Sequence, residues 1–559
     1  MREYWLVHPN SLVDFLARST ARLDRQSRIL AHAWAAALST LFVACGGPIA
    51  NPDADGAVSD AIAADALSEA AAEVGPPALA PAPGEALELV AATGPVRVRL
   101  ATPTGSERHV VIIGSTDLSG NGGAAAYRAR IVEGSSTAPD ATARTLAGCA
   151  ITPDRWRAMM LPVETPPSGM APAVGTERMF TVPVGAGSEV ITARAIAVGE
   201  RAVVWADVTA AHPANMDPAF VAEFLRDFDN VILPRERTVF GMESDIDGDG
   251  RIALLFTSLT YRTAVAYFRG CDIVQFPGCR VVNRGEILYL TPPSAIPPPY
   301  NTPAAIKETL AHELGHLIHF GRKVLRNRLA SWADNSYLVE GIGALAQDTI
   351  GYQSGNLYVT LAGLNRFGDF SLGDILVDGA PYDPMRDGLL RGDAYLFVRW
   401  LYDRAGGDMA ASDGTIASRG GPALLRTLMD SPRSITRELQ MVTMSPELGD
   451  VAMDFFTAVG LSNRERIGDV AATNPCFRYL PVQADPITMR PRGADLFASF
   501  HGMMKNGPET TPIAMADGSV TVGGAEFLLV EAVAGQREVS FEIDVDATAM
   551  ARVRIARVR

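Results

Sequence analysis

Residues 85–206 alternate apolar and polar side chains in short runs that Gly and Pro separate. The clearest runs are residues 96–100, 110–113 and 202–205. Such alternation is typical of strands that bury one face, and the Gly and Pro positions are typical of turns. We therefore predict a β-rich N-terminal domain over residues 85–206. The same pattern returns near the end of the chain and predicts a C-terminal β domain over residues 481–559.

Between these two segments the pattern changes to the period of a helix. Asp217 followed by Pro218 is a typical helix start, and helical spacing of apolar residues is most extensive from about 302 to 461. Two apolar runs, 251–257 and 286–290, are typical of buried strands. The order of β, mixed and β segments predicts the α+β fold class, with a central domain over residues 207–480.

The N-terminus has the pattern of a bacterial export signal. Four arginines between positions 18 and 28 precede a short apolar segment, and Cys45 follows the small residue Ala44. These features resemble a lipoprotein signal over residues 1–45, in which Cys45 carries the lipid that attaches the protein to a membrane. We therefore expect an outer-membrane lipoprotein or extracellular protein of the cell envelope. A signal without a lipid, an uncleaved anchor, and a true start downstream of Met1 are the alternatives.

Composition and cysteine positions extend this interpretation. Residues 46–84 are rich in Ala, Asp, Pro and Glu and predict a disordered tether. In an oxidising compartment we expect Cys271 to pair with the nearby Cys279, and Cys149 to pair with Cys476 by elimination. The formal net charge of −14 argues against a nucleic-acid partner.

The candidate chemistry lies in a His-Glu-x-x-His motif at positions 312–316. His312 and His316 are one helical turn apart, so both imidazoles can bind one metal ion. Glu313 projects beside that ion, where its carboxylate can take a proton from an attacking water. Pro303 and the apolar period of the following residues support a helix here. The motif predicts a catalytic zinc site.

A catalytic zinc ion takes three protein ligands and keeps one position open. We favour Glu340 as the third ligand, because it is a lone carboxylate near the apolar start of a second predicted helix. Asp334 and His319 stay open as alternatives. His319 is seven residues from His312, about 10 Å along the helix axis, so a packing or supporting role suits it better.

These residues together resemble the hyicolysin family of bacterial zinc metallopeptidases, within the gluzincin group. The likeness is carried by His312-Glu313-x-x-His316, by residues 338–341 and 346–348, and by residues 240–241, 245–250, 266–268, 286–290 and 394–401. It covers about residues 190–406, under half of the chain. The resemblance implies a thermolysin-like zincin catalytic domain, in which a zinc-bearing helix packs against a mixed sheet and a helical lobe follows.

One position departs from the pattern that this family leads us to expect. A Tyr able to donate to the developing oxyanion is expected near position 391, where this chain has Arg391. Tyr395 follows one helical turn later. We expect Arg391 or Tyr395 to supply the hydrogen bond that stabilises the tetrahedral intermediate.

A second, weaker motif contains Asp245, Asp247 and Asp249 and resembles the opening of a calcium-binding loop. A complete EF-hand loop would have Glu at position 256, which is Phe256 in this chain. A polar turn before the strand at Arg251 explains these residues better, and a structural Ca²⁺ site is the alternative.

The sequence as a whole indicates a secreted, lipid-anchored zinc endopeptidase that acts on proteins or peptides. One alternative is a surface binding or adhesion protein with an inactive peptidase body. The intact motif and Glu340 argue against it, because decay usually removes a ligand or the Glu of the motif. The other alternative is a zinc hydrolase of non-peptide substrates, which uses the same metal chemistry. The oligomeric state is not indicated by the sequence.

Overall fold

A computed structural model describes residues 76–559 apart from 91–93, 121, 135, 147, 186, 277–278, 280–281, 299, 329–333, 353–362, 379–382, 384–385, 498, 501–502 and 505–506. The predicted signal, Cys45 and most of the predicted tether lie outside these residues. The end of the predicted tether is ordered, because Leu79 forms a β-bridge with Leu100. In the part of the chain that the structure describes, no helix is both long and apolar enough to span a bilayer.

Strands from both ends of the described chain build one β-sandwich. Its larger sheet contains, in spatial order, β18 (Thr511–Pro512), β20 (Ala525–Glu531), β3 (Arg108–Ser115), β22 (Ala551–Arg557), β1 (Ala86–Leu89) and β5 (Ala143–Thr145). Its smaller sheet contains β19 (Ala516–Thr521), β4 (Ala124–Ile131), β21 (Glu538–Val545) and β2 (Val96–Ala101). The prediction of separate N-terminal and C-terminal β domains is therefore wrong, because both sheets contain paired strands from both segments.

A third sheet, with six strands, is formed by residues 177–290. Its strands are β10 (Ala266–Phe268), β11 (Ile287–Leu290), β9 (Ile252–Phe256), β8 (Ala202–Asp207), β7 (Gly187–Val198) and β6 (Glu177–Val184), in that spatial order. Strands β11, β9 and β8 are parallel, and the remaining pairings are antiparallel. The strands predicted over 251–257 and 286–290 are confirmed. The predicted domain boundary at residue 206 is wrong, because it cuts this sheet between β8 and β9.

Helices fill much of the chain between residues 302 and 461, as predicted, and shorter helices precede this stretch. They are α1 (Pro153–Arg157), α2 (Pro218–Asp227), α3 (Leu233–Phe240), α4 (Gly270–Ile273), α5 (Pro303–Phe320), α6 (Ser336–Thr349), α7 (Leu372–Leu376), α8 (Asp387–Arg404), α9 (Gly421–Asp430), α10 (Ile435–Thr443) and α11 (Gly449–Leu461). Asp217 caps α2 by accepting a hydrogen bond from the Ala219 N–H, which confirms the predicted helix start. The described chain is a mixed α and β protein, which is compatible with the predicted α+β class.

Three short hairpins complete the described elements. They pair β12 (Asp408–Ala410) with β13 (Ile416–Ser418), β14 (Gln483–Ala484) with β15 (Pro491–Arg492), and β16 (Ser499–Phe500) with β17 (Met503–Met504). The sandwich and the helices meet at β3, which is buried on both faces. Val111 and Ile113 belong to the sandwich core, whereas Val110 and Ile112 belong to the larger core that the helices share.

Both predicted disulfides are present. Cys271 and Cys279 have Cα atoms 5.7 Å apart and close the loop that follows β10. Cys149 and Cys476 have Cα atoms 5.6 Å apart, although 327 positions separate them in sequence. The second bond therefore crosslinks the segment after β5 to the segment after the helices, two regions that only the folded chain brings together.

Candidate metal centre

Two histidines project from one face of α5. Thr302 caps the start of this helix, because its side chain accepts a hydrogen bond from the Ala305 N–H. The rings of His312 and His316 have centroids 4.6 Å apart and are nearly perpendicular. His316 is only 5% exposed. The predicted helix and the shared face of the two imidazoles are confirmed.

Glu340 joins the histidines from α6, which packs against α5. Its Oε2 lies 3.2 Å from His312 Nε2, and its Oε1 lies 3.5 Å from His316 Nε2. One donor atom from each residue can be chosen so that all three lie within 4.8 Å of one another. A tetrahedral ion with bonds of about 2.0–2.1 Å holds its ligand atoms about 3.3 Å apart. Each imidazole thus lies at about this separation from one of the two Glu340 oxygens, and the group could hold a metal.

Glycine allows the two helices to approach closely enough. A Cβ atom at Gly343 of α6 would lie 2.7 Å from His312 Cε1. A Cβ atom at Gly315 of α5 would lie 3.0 Å from the Ala346 Cβ. A larger residue at either position would push α6 away from α5 and separate Glu340 from the histidines.

Burial and neighbouring charges shift the pKa values of all three residues of the group. Burial opposes ionisation of Glu340, but the Arg391 guanidinium and the two imidazoles outweigh it and hold the Glu340 pKa well below its usual value. Burial lowers the pKa of His316 to about 4, so its imidazole is neutral at pH 7. Burial also acts to lower the His312 pKa, but the hydrogen bond and charge of Glu340 outweigh burial, so the His312 pKa is raised. A buried carboxylate beside imidazoles is a donor set that zinc accepts.

Glu313 lies between the metal group and the edge of the mixed sheet. Its Oε2 accepts a hydrogen bond of 2.9 Å from the backbone N–H of Phe268, at the end of the edge strand β10. Burial raises the Glu313 pKa to about 7; His312 opposes that shift and Glu340 adds to it. The sheet edge therefore fixes one carboxylate oxygen of Glu313.

The two residues predicted to stabilise the oxyanion have different surroundings. Arg391 Nη1 contacts Glu340 Oε2, and Arg391 Nε donates to Asp387 Oδ1 at 2.8 Å. The Tyr395 hydroxyl is buried and donates to Asp348 Oδ2 at 3.1 Å. The structure therefore brings Arg391 to the metal group but does not bring the Tyr395 hydroxyl there, because Asp348 holds it between α6 and α8.

The two alternative third ligands bind each other. His319 Nε2 lies 3.0 Å from Asp334 Oδ2, and both side chains are fully buried. The other Asp334 oxygen accepts a hydrogen bond of 2.6 Å from the Ile435 N–H. This pair joins the end of α5 to the start of α10 and leaves Glu340 as the carboxylate of the group.

Sequence reasoning did not assign a role to Gln347. Its Oε1 lies 3.2 Å from His312 Nδ1, the ring nitrogen that faces away from Glu340. Such an outer partner fixes the orientation of a metal-binding imidazole. Gln347 follows Glu340 by two turns of α6, so the seven-residue spacing was a signal that could have identified it.

A second group that could hold a metal ion consists of acidic residues and lies at the loop that precedes β9. Asp245, Asp247 and Glu286 can place carboxylate oxygens within 4.8 Å of one another and could hold a metal ion. Asp249, which the motif predicts as the third ligand, is not in this group. Its Oδ1 instead accepts a hydrogen bond of 2.7 Å from the Arg251 N–H, at the start of the strand. Asp249 thus serves the predicted polar turn, and the carboxylate group that could hold a cation contains Glu286 in its place.

Comparison with known proteins adds no relative to this description. No family model matches the chain, and no curated protein matches it. The likeness to the hyicolysin family therefore rests on the motif residues around His312, His316 and Glu340 and stays a prediction.

Proposed function

We propose that this chain is a zinc-dependent endopeptidase. The observation that carries the proposal is the meeting of His312, His316 and Glu340 beside Glu313 at a sheet edge. Two histidines and one carboxylate leave one position of a tetrahedral ion open, as a catalytic zinc site requires. Zinc, when bound there, supplies a Lewis acid that polarises a carbonyl and lowers the pKa of a water molecule.

Glu313 is the proton carrier in this proposal. Its Oε2 is held by the Phe268 N–H, so Oε1 is the oxygen that accepts the proton of the attacking water. The same oxygen later delivers that proton to the leaving amine. A pKa that burial raises to about 7 suits both steps, because the carboxyl group can gain and lose a proton near neutral pH.

The edge strand β10 supports a peptide as the substrate. Tyr267 pairs with Tyr289 of β11, whereas the Phe268 N–H points to Glu313. Because hydrogen-bonding directions alternate along an antiparallel strand, the backbone groups of Ala266 point to the same side as the Phe268 N–H, away from β11. An extended peptide can add to this edge as a further strand, with its scissile bond beside Glu313.

We infer a thermolysin-like zincin arrangement for the central region. Helix α5 carries the histidines and packs on β10 and β11 of the mixed sheet, with the helices α6 and α8 beyond it. The two disulfides favour an oxidising compartment, which supports export. The lipid on Cys45, the cell-envelope location and the absence of a nucleic-acid partner stay predictions from the sequence.

The test is to measure zinc content and casein cleavage for the exported protein and for Glu313→Gln. We expect about one zinc per chain in both proteins. Cleavage should fall by roughly 10²–10⁴-fold in the variant, the usual contribution of a general base. Zinc with equal cleavage in both proteins would remove Glu313 from the mechanism. An absence of zinc in both would overturn the proposed function and favour the binding-protein alternative.

A further inference from the structure

Two carboxylates, those of Glu340 and Asp387, contact the guanidinium group of Arg391. Nη1 contacts Glu340 Oε2, and Nε donates to Asp387 Oδ1 at 2.8 Å, one turn earlier on the same helix α8. The Arg391 side chain is 11% exposed and the Glu340 side chain is 2% exposed. This is therefore a largely buried ion pair to a candidate metal ligand, and the anchor at Asp387 restricts where the guanidinium can go.

The packing of α6 on α8 places this ion pair. Gly341, next to Glu340, faces the backbone of Ala394: a Cβ atom at Gly341 would lie 2.6 Å from the Ala394 carbonyl oxygen. Arg391 precedes Ala394 by about one turn and so lies beside Glu340. The close approach, which only glycine permits, brings the guanidinium within reach of the carboxylate.

The two oxygens of Glu340 have different neighbours as a result. Oε2 contacts Arg391 and lies 3.2 Å from His312 Nε2, whereas Oε1 lies 3.5 Å from His316 Nε2. We propose that Arg391 is a positioning residue that holds Oε2, so that Glu340 binds the metal through Oε1 alone. This inference rests on the proposed zinc site and names a residue that sets its geometry.

Binding through one oxygen has a chemical consequence. A carboxylate that binds with both oxygens fills a further coordination position, the one that a catalytic site must keep open for water or substrate. An arginine that occupies one oxygen opposes this, because its guanidinium stays charged at neutral pH and its Nε is anchored on Asp387, which directs Nη1 to Oε2. Arg391 would thus act through Glu340 and need not touch the substrate.

The experiment compares the exported wild-type protein with Arg391→Met and Arg391→Lys. Zinc affinity is measured by competition with a chromophoric chelator, and coordination is measured from the visible spectrum of the Co²⁺-substituted protein. In Arg391→Met we expect roughly 10–100-fold weaker zinc binding, the usual effect of losing an outer partner. We also expect the weaker Co²⁺ absorption of a five-coordinate ion. Arg391→Lys should recover part of the affinity, because it keeps the charge but loses the fork.

Arg386→Met is the matched control. Arg386 precedes α8 and pairs with Asp374 at 2.7 Å, so its replacement removes the same charge away from Glu340. Its zinc affinity and Co²⁺ spectrum should equal those of the wild type. If Arg391→Met does not fold, Asp387→Asn loosens the same guanidinium and should weaken zinc binding several-fold.

Three outcomes would overturn the proposal, and they can be distinguished. Unchanged affinity and spectrum in Arg391→Met would show that the ion pair does not position the ligand. Tighter zinc binding would show that the guanidinium only repels the cation. A wild-type protein that binds no zinc would overturn the proposed function, and the role of Arg391 with it.

Discussion

The part of the chain that the structure describes contains two groups that could hold a metal ion, and they are built differently. His312, His316 and Glu340 project from two helices that pack closely at Gly343. Asp245 and Asp247 belong to a loop, and only Glu286, at the start of a strand, is fully buried. The helical group is thus placed by two rigid elements, whereas the loop group depends on the conformation of a turn.

The partners of the carboxylates differ in the same way. Glu340 is ionised by an arginine and two imidazoles, and burial alone would have kept it neutral. Glu286 has only neutral donors, the Ser244 hydroxyl at 2.6 Å and the Ile246 N–H at 3.2 Å, and burial raises its pKa to about 7. A buried carboxylate without a cationic partner is costly to ionise. Charge compensation of the buried carboxylate, rather than the number of acids, therefore distinguishes the helical group from the loop group.

The sharpest test of the helical group is His316→Ala. Removal of one of three ligands should lower the zinc content from about one ion per chain to almost none, and peptide cleavage should disappear with it. Zinc content is measured by atomic absorption after dialysis. The matched control is His212→Ala, because His212 pairs with Glu189 at 3.2 Å and is not part of the metal group. Full zinc content in His316→Ala would show that His316 is not a zinc ligand.

A smaller effect is expected for Gln347→Ala. This substitution removes the oxygen that lies 3.2 Å from His312 Nδ1, so the imidazole loses the partner that orients it. Zinc affinity should fall by roughly 10–100-fold, while the protein stays folded. Gln347→Glu keeps an acceptor oxygen and should bind zinc at least as tightly as the wild type. Equal affinities for Gln347→Ala and the wild type would remove Gln347 from the site.

The smallest effect is expected at the loop group, where Ca²⁺ is the cation to test. Ca²⁺ at ten times its dissociation constant would stabilise the fold by about 1.4 kcal/mol, which raises Tm by on the order of 2 °C. Glu286→Gln should abolish this rise, and Asp249→Asn should keep it, because the Asp249 carboxylate bonds to the Arg251 N–H. If Asp249→Asn abolished the rise in Tm and Glu286→Gln kept it, Asp249 would be the ligand, as the motif predicts.

Local spacing made the centre of the proposed site predictable. The helix start at Thr302 and Pro303 and the one-turn spacing of His312 and His316 depend only on neighbours along the chain. Glu340 could be chosen because a lone carboxylate near the start of an apolar helix needs a partner. Arg391 could be placed near the site only through a resemblance, and the contact with Glu340 required the packing of α6 on α8.

The strands and helices around the motif and the two disulfide pairs could be predicted from the sequence, because each follows from local periodicity or from a choice among few cysteines. Strand pairing could not be predicted in this way, because it depends on contacts that form only in the fold. Strands β2 and β21 are adjacent although more than 400 residues separate them, and alternation shows which face of a strand is buried but not which partner it has. For the same reason Glu286, rather than Asp249, joins Asp245 and Asp247: parallel pairing of β11 with β9 brings it to the loop, and spacing along the chain cannot reveal that contact.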